Sequence, residues 1–180
     1  SVAKRKAIGM ALIPEDRKTE GLMLPMSVRD NLSFAALDGL SRFGVVDRKA
    51  ERDAVDRIVR LLGVHTDGTF VPAGSLSGGN QQKVVIGKWL MMAPRILLLN
   101  DPTRGIDVGT KQEIYALLRR LADDGAAVLL YSTDYAELIG CCDRVAVFLD
   151  GRIVRWLAGD DLNEHALVAT ALDVAAEAVH

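Results

Sequence analysis

The chain has 180 residues, 49% apolar and 26% charged, which is enough for a domain with a core of its own. Its 22 basic and 24 acidic residues leave a net charge of −2, which excludes the basic footprint of a general nucleic-acid binder, so no nucleic-acid partner is expected. The adjacent Cys141 and Cys142 have no metal-ligand spacing and point to a reducing, cytoplasmic setting, and no apolar run approaches the roughly 20 residues of a membrane span.

The basic start, Ser1 to Lys6, has no apolar stretch behind it that would make it a secretory signal. Residues 7–13 are a short apolar run ended by Pro14 and read as a buried strand. Residues 14–26, with Gly21 and Pro25, read as a loop. Ser27 is placed as the N-cap of a helix to about Leu37, with Asp30 in its first turn. A Gly-rich loop over 39–46 follows. Asp47 then caps a helix over 48–62, where Ala54, Val55, Ile58, Leu61 and Leu62 recur at helical spacing and Gly63 is the stop.

Residues 63–76 read as loop, and 80–92 as a helix ended by Pro94. Ile96–Leu99 is an apolar strand broken by Asp101-Pro102. A helix over 109–123 carries the stripe Ile114, Leu117, Leu118 and Leu121, and Gly125 ends it. Ala126–Tyr131 reads as a buried strand, 135–140 as a short helix, and Val145–Leu149 as a strand. The strand turns back at Asp150-Gly151 through Ile153–Trp156, before a last amphipathic helix over 162–178. Strands that are apolar throughout and alternate with helices predict an α/β fold with a mostly parallel sheet covered on both faces, and the first half adds a helical insertion.

Leu76-Ser77-Gly78-Gly79-Asn80-Gln81-Gln82-Lys83 is the most informative segment. A hydroxyl and two glycines sit where a helix begins. The free N–H groups of such a helix attract an anion, and glycine lets a phosphate approach closely. The same three residues also suit an ordinary N-cap. As a whole, the string resembles the signature sequence of ATP-binding cassette (ABC) domains, and its Asn-Gln-Gln-Lys continuation resembles the form found in monosaccharide importers.

Other segments resemble that family in the order it requires, over residues 7–160. Pro14 to Leu22 is similar to the Q-loop segment of the second cassette of ribose-type importers, with Glu15 at the usual Gln position. Ile96 to Thr103 resembles Walker B, Arg104-Gly105-Ile106-Asp107 the D-loop, and Ser132-Thr133-Asp134 the switch segment, with Thr133 where a His is usual. The resemblance implies a partial P-loop NTPase fold. It divides the chain into a strand and Q-loop region over 1–26 and a helical signature subdomain over 27–93. A Walker B, D-loop and switch portion over 94–160 and a C-terminal helix over 161–180 complete it.

The phosphate loop Gly-x-x-x-x-Gly-Lys-Ser/Thr does not occur in the chain. The expectation is therefore a fragment or truncated product, inactive alone, with no ATP or Mg²⁺ held tightly. Walker B carries Asn100-Asp101 in place of Asp-Glu. Asn100 is a weaker oxygen ligand for Mg²⁺, or a harmless variant if phosphates share the metal, and Asp101 is one methylene short for positioning water. The resemblance assigns Ser77, Gly78, Gly79, Asn80 and Gln81 to the ATP of a partner cassette. Glu15 and Asp107 join the nucleotide contacts, Asp107 with helix capping as the alternative. Asp101 and Thr133 stand at degraded catalytic positions and Asn100 at the Mg²⁺ position.

The function implied is an ATP-binding subunit of a sugar importer, acting with a second cassette and with transmembrane permease subunits at the inner face of the cell membrane. ATP and Mg²⁺ would serve the full assembly. The alternative is a truncated module that only docks. Met23, Leu24, Pro25 and Met26 read equally as a docking patch or as core.

Overall fold

The structure, a computed structural model, describes residues 1–177. It forms two compact units, Ser1–Tyr131 and Ser132–His180. The boundary falls inside the stretch 94–160 that the motifs group together. Among the described residues no helix is long and apolar enough to cross a membrane.

The first unit is built on a three-stranded parallel sheet of β1 (Met10–Ile13), β4 (Ile96–Asn100) and β5 (Ala127–Tyr131), with β4 in the centre. Helices α2 (Val28–Ser33), α3 (Arg48–Leu62) and α4 (Gly78–Leu90) form the helical part, and α5 (Val108–Asp123) connects β4 to β5. One core joins them. Ile13, Leu97 and Leu99 of the sheet cluster with Leu32 of α2, Val55 and Ile58 of α3, and Val84, Val85 and Ile86 of α4.

Local sequence explains most boundaries. Ser27 caps α2 through the Asp30 amide at 3.0 Å. The Asp47 carboxylate accepts from the Lys49 and Ala50 amides, and Gly63 closes α3 in the left-handed conformation at φ 55°. Four differences from the sequence reading have physical causes. The basic start forms a helix, α1 (Val2–Ala7), with no buried residue and hence no apolar stripe to reveal it. The presumed loop after β1 contains a π-helical turn, Arg17–Gly21, nucleated by Asp16. The Gly-rich loop closes a small hairpin, β2 (Ser41–Arg42) and β3 (Val45–Val46), with Phe43 and Gly44 both at positive φ. Ser77 caps α4, so that helix starts at Gly78, two residues before the expected point.

Among the described residues of the first unit the sheet is fully covered on one face only. Parallel register places Leu12, Leu98 and Leu129 in one row and Ile13, Leu99 and Leu130 in the next. Ile13 and Leu99 are 0% and 2% exposed, whereas Leu12 and Leu129 are 52% and 68% exposed. Successive strand residues point to opposite faces, so one face meets the helices and the other is open. A cavity of about 440 Å³ lies over the open face beside α1, lined by Val2, Arg5, Met10, Leu12, Leu98 and Trp89.

The second unit contains α6 (Tyr135–Cys141), an antiparallel hairpin of β6 (Arg144–Leu149) and β7 (Arg152–Ala158), and α7 (Glu164–Glu177). Its turn is the expected Asp150-Gly151, both at positive φ, and the register shifts at Val147/Phe148 as in a β-bulge. Leu138, Val145, Leu157 and Leu167 are its buried apolar residues among those described. Trp156 is not core. It is half-exposed, and the Arg144 guanidinium lies 4.8 Å from the centre of its ring. Residue 178, where the last helix was expected to end, lies outside the described residues.

Candidate functional site

The start of α4 is the centre of the site. The Ser77 hydroxyl accepts from the Asn80 amide at 3.4 Å and from the Asn80 side-chain NH₂ at 2.9 Å. A hydroxyl has two acceptor lone pairs and one proton, so the proton remains to be donated outward. Ser77 is exposed. The first helical amide bond of α4 runs from Gln81 N–H to Ser77 C=O, so Gly78 and Gly79 supply the first-turn donors that a helix leaves unpaired. With the positive end of a 13-residue helix behind them, these groups form an anion-facing turn.

The rest of the octapeptide holds this turn in place. The Asn80 carbonyl oxygen accepts from the His65 amide at 2.8 Å, while its NH₂ reaches Ser77, so Asn80 ties the turn to the segment after α3. Gln81 is 6% exposed and donates to the Leu76 carbonyl at 3.0 Å. Lys83 is buried. Its amine donates to the Gly63 carbonyl at 3.0 Å and pairs with Glu113 at 2.5 Å. The octapeptide thus divides into an outward turn, Ser77-Gly78, and an inward brace.

Both glycines press on neighbours in the same unit. A Cβ on Gly78 would stand 2.9 Å from Nη2 of Arg17, and one on Gly79 would stand 2.7 Å from Oγ1 of Thr110. Neither glycine has a positive φ, so what a side chain would meet is contact and not backbone strain: at 79 the Thr110 side chain down to its Cβ, at 78 the movable tip of Arg17. Thr110 in turn donates its hydroxyl and its amide to Asp107, each at 2.9 Å. Those bonds, the amide first, hold the Asp107 carboxyl below the usual carboxylate range. Asp107 is therefore the exposed N-cap of α5, and through Thr110 it is held beside the start of α4.

Glu15 lies just after β1 and pairs with the Arg104 guanidinium. Arg17, in the π-turn, donates to the Arg104 carbonyl at 3.3 Å. The structure thus gathers Glu15, Gly78, Gly79 and Asp107 around Arg17 and Arg104, which lie within the Q-loop-like and D-loop-like segments, and Thr110. Pattern rules gave no signal for the contacts Arg17–Gly78, Arg17–Arg104 and Thr110–Gly79, which join residues distant in sequence.

Of the other candidates, Asp101 adjoins this group, its carbonyl accepting from the Arg104 amide at 3.2 Å. Asn100 is exposed at the end of β4, opposite Tyr131 of β5. Asp101 is 4% exposed, has a left-handed backbone at φ 45°, and donates its amide to Tyr131 C=O at 2.8 Å. Such a conformation costs about 1–3 kcal/mol in a residue other than glycine. Thr133 is exposed and belongs to the second unit, where Asp134 caps α6 and Ser132 donates to the buried Glu137. Among the described residues no three His, Cys, Asp or Glu side chains are placed to hold a metal ion. With a neutral amide at 100 as well, these residues do not fit a Mg²⁺ held by this chain alone.

Comparison with known proteins agrees with the fold and the motif order. The family model for ABC transporters matches residues 3–104. The chain belongs to the ABC transporter family. It is 66% identical over 175 residues to the ribose import ATP-binding protein RbsA 1 of Mesorhizobium japonicum and 67% identical over 175 residues to that of Rhizobium etli. In each case 97% of this chain is covered but 34% of the relative, so the chain spans about a third of the curated relatives it matches. Among solved structures, the dimeric post-hydrolysis state of the ATP-binding cassette MJ0796 superposes with a TM-score of 0.73 at 20% identity, covering 90% of this chain and 66% of that one. The ADP conformation of the cassette MJ1267 gives 0.74 at 18% identity, covering 96% of this chain and 70% of that one. The partial P-loop NTPase fold is thereby established.

Proposed function

We propose that this chain is the signature-bearing part of an ATP-binding subunit of a carbohydrate importer, and that the start of α4 completes an ATP site whose phosphate loop lies on another cassette. The observation that carries this reading is the exposed Ser77 hydroxyl at the start of α4, next to the half-buried Gly78 and the buried Gly79, whose amides have no helical acceptor. The identity to ribose import ATP-binding proteins supports the substrate class.

In this reading the Ser77 hydroxyl and the Gly78 and Gly79 amides contact the phosphates. Asn80 and Gln81 serve by fixing the turn, and Glu15 and Asp107 border it. ATP and Mg²⁺ belong to the assembled site. The partners are a second cassette and transmembrane permease subunits, which would hold the chain against the cytoplasmic face of the membrane. The chain's own hydrolytic positions, Asn100, Asp101 and Thr133, would turn over slowly. A hard cation finds only an amide at 100, and a carboxylate misplaced by about 1 Å loses on the order of 100-fold in rate.

A second reading, a module that docks without hydrolysis, is favoured by the burial of Asp101 at 4% exposure. ATP turnover of the complete gene product separates the two. Ser77→Arg is expected to abolish turnover, and Asn100→Asp with Asp101→Glu to raise it. Turnover that withstands Ser77→Arg and ignores the restored carboxylates would refute the importer-ATPase reading.

A further inference from the structure

We propose that Arg17 is a positioning residue for the nucleotide-facing end of α4, and that Gly78 is a glycine so that the Arg17 guanidinium can cross it. This rests on the reading of Ser77-Gly78-Gly79 as a contact made in trans.

The guanidinium lies where a side chain at 78 would be. A Cβ there would stand 2.9 Å from Nη2, so the tip of the guanidinium would have to move, and 3.6 Å from Cζ, an ordinary contact. Glycine is a poor choice within a helix unless space or a left-handed backbone requires it, and Gly78 has no positive φ. Nη1 of the same guanidinium donates to the Arg104 carbonyl at 3.3 Å, and the Arg104 side chain pairs with Glu15. Residues 15 and 17 therefore grip the loop after β4, one by its side chain and one by its backbone, while Arg17 also bears on α4. The planar fork of arginine suits two such tasks together, where a lysine ammonium would serve one.

The base of this clasp is firm. Asp16 accepts from the Lys18 amide at 2.8 Å, and Lys88 of α4 donates to the Gly21 carbonyl at 2.5 Å. A Cβ on Gly21 would stand 2.9 Å from Val85, so the π-turn lies directly on α4. Stability alone does not explain the arrangement. A cation at a helix N-terminus opposes the helix dipole, and Nε of Arg17 is buried without a hydrogen-bond partner. What the arrangement provides is a fixed distance between Ser77 and the loop leading to Asp107.

The test is steady-state ATP turnover of the complete gene product in five variants, with circular dichroism to confirm folding. Arg17→Ala is expected to lower kcat about tenfold while leaving KM for ATP within about twofold, the pattern of a turn slightly misplaced for the transition state. Arg17→Lys should stay near the Ala level. Gly78→Ala should cost about as much, and Arg17→Ala with Gly78→Ala no more than Arg17→Ala alone, because the obstruction has lost what it obstructs. If Arg17→Ala does not fold, Arg17→Met keeps the aliphatic stem and replaces it in the comparison. Wild-type turnover in the Arg17 variants, or a Gly78→Ala loss that adds in full to theirs, overturns the proposal. Ser77→Arg keeps the two levels apart. If it abolishes turnover while the Arg17 variants are normal, only the role of Arg17 fails. If it leaves turnover intact, the contact in trans fails and the proposal with it.

Discussion

Gly79 and Thr110 touch so closely that a Cβ on the glycine would stand 2.7 Å from the threonine hydroxyl oxygen and 3.0 Å from its methyl carbon. The contact locks the first turn of α4 against the first turn of α5, and so keeps Ser77 and Asp107 on neighbouring helix ends. It also gives Gly79 a reason to be glycine that needs no ligand.

Gly79→Ala is accordingly expected to destabilise the first unit by about 1 kcal/mol: overpacking costs about 1–3 kcal/mol, and the better helix propensity of alanine returns about 0.5–1. The urea midpoint of the 180-residue chain reads this directly. In a Thr110→Ala background the loss should nearly vanish. An equal loss in both backgrounds would show that the contact is not the cause.

Lys83 ties three elements of the first unit. Its amine meets the Gly63 carbonyl at the end of α3 and Glu113 of α5, while its stem is buried in α4. Lys83→Ala breaks the bond to the Gly63 carbonyl and empties the space of the buried stem, so a loss of about 2 kcal/mol is expected in urea unfolding. Lys83→Met, which keeps most of the stem, should lose less. Glu113 has a side chain 61% exposed, and an exposed partner contributes little, so Glu113→Gln should cost under about 1 kcal/mol. A Glu113→Gln loss as large as that of Lys83→Ala would place the stabilisation in the ion pair instead of the carbonyl bond.

The contrast between Asn80 and Arg17 shows what the sequence made legible. The caps at Ser27, Asp47, Ser77 and Asp107, the stop at Gly63 and the Asp150-Gly151 turn act through neighbours in the chain, and pattern reasoning locates them. The octapeptide was recognisable as a string, but not its division into an outward Ser77-Gly78 and an inward Asn80, Gln81 and Lys83. That depends on which face of α4 meets α3 and α5. The partners of Arg17, Gly78 and Arg104, are brought to it only by the fold, so no pattern in the sequence assigns them. Helix α1 escaped notice because it buries nothing, and the open face of the sheet because an apolar strand looks the same whether or not its second face is covered.

Acid should loosen the helix starts. Asp47 accepts from the Ala50 and Lys49 amides, and Asp107 from the Thr110 amide and hydroxyl. These bonds hold both carboxyls below their usual range. A carboxylate depressed in the folded state adds stability that is fully present above its unfolded value. That stability is lost as pH falls through the folded one, so the loss should begin below about pH 4. Asn at either position keeps an acceptor oxygen without the titration. Asp47→Asn with Asp107→Asn should therefore flatten the acid limb of thermal midpoint against pH, and an unchanged acid limb would show that other groups govern it.

The exposed face of the sheet is expected to govern self-association of the 180-residue chain in solution. Leu12 and Leu129 flank Leu98 in one row, both more than half exposed, and Tyr131 is 60% exposed at the end of β5. Both outer strands, β1 and β5, are edges of the three-stranded sheet. An apolar face bounded by unpaired edges favours association, because it removes apolar surface from water at about 25 cal/mol per Å² and satisfies the edge groups together. Sedimentation velocity is expected to show larger species as concentration rises. Leu12→Lys with Leu129→Lys should return the chain to monomer with little loss of fold, since both side chains point away from the core shared by Ile13, Leu97 and Leu99. A wild-type chain that stays monomeric at high concentration would contradict this, as would association that the two lysines leave unchanged.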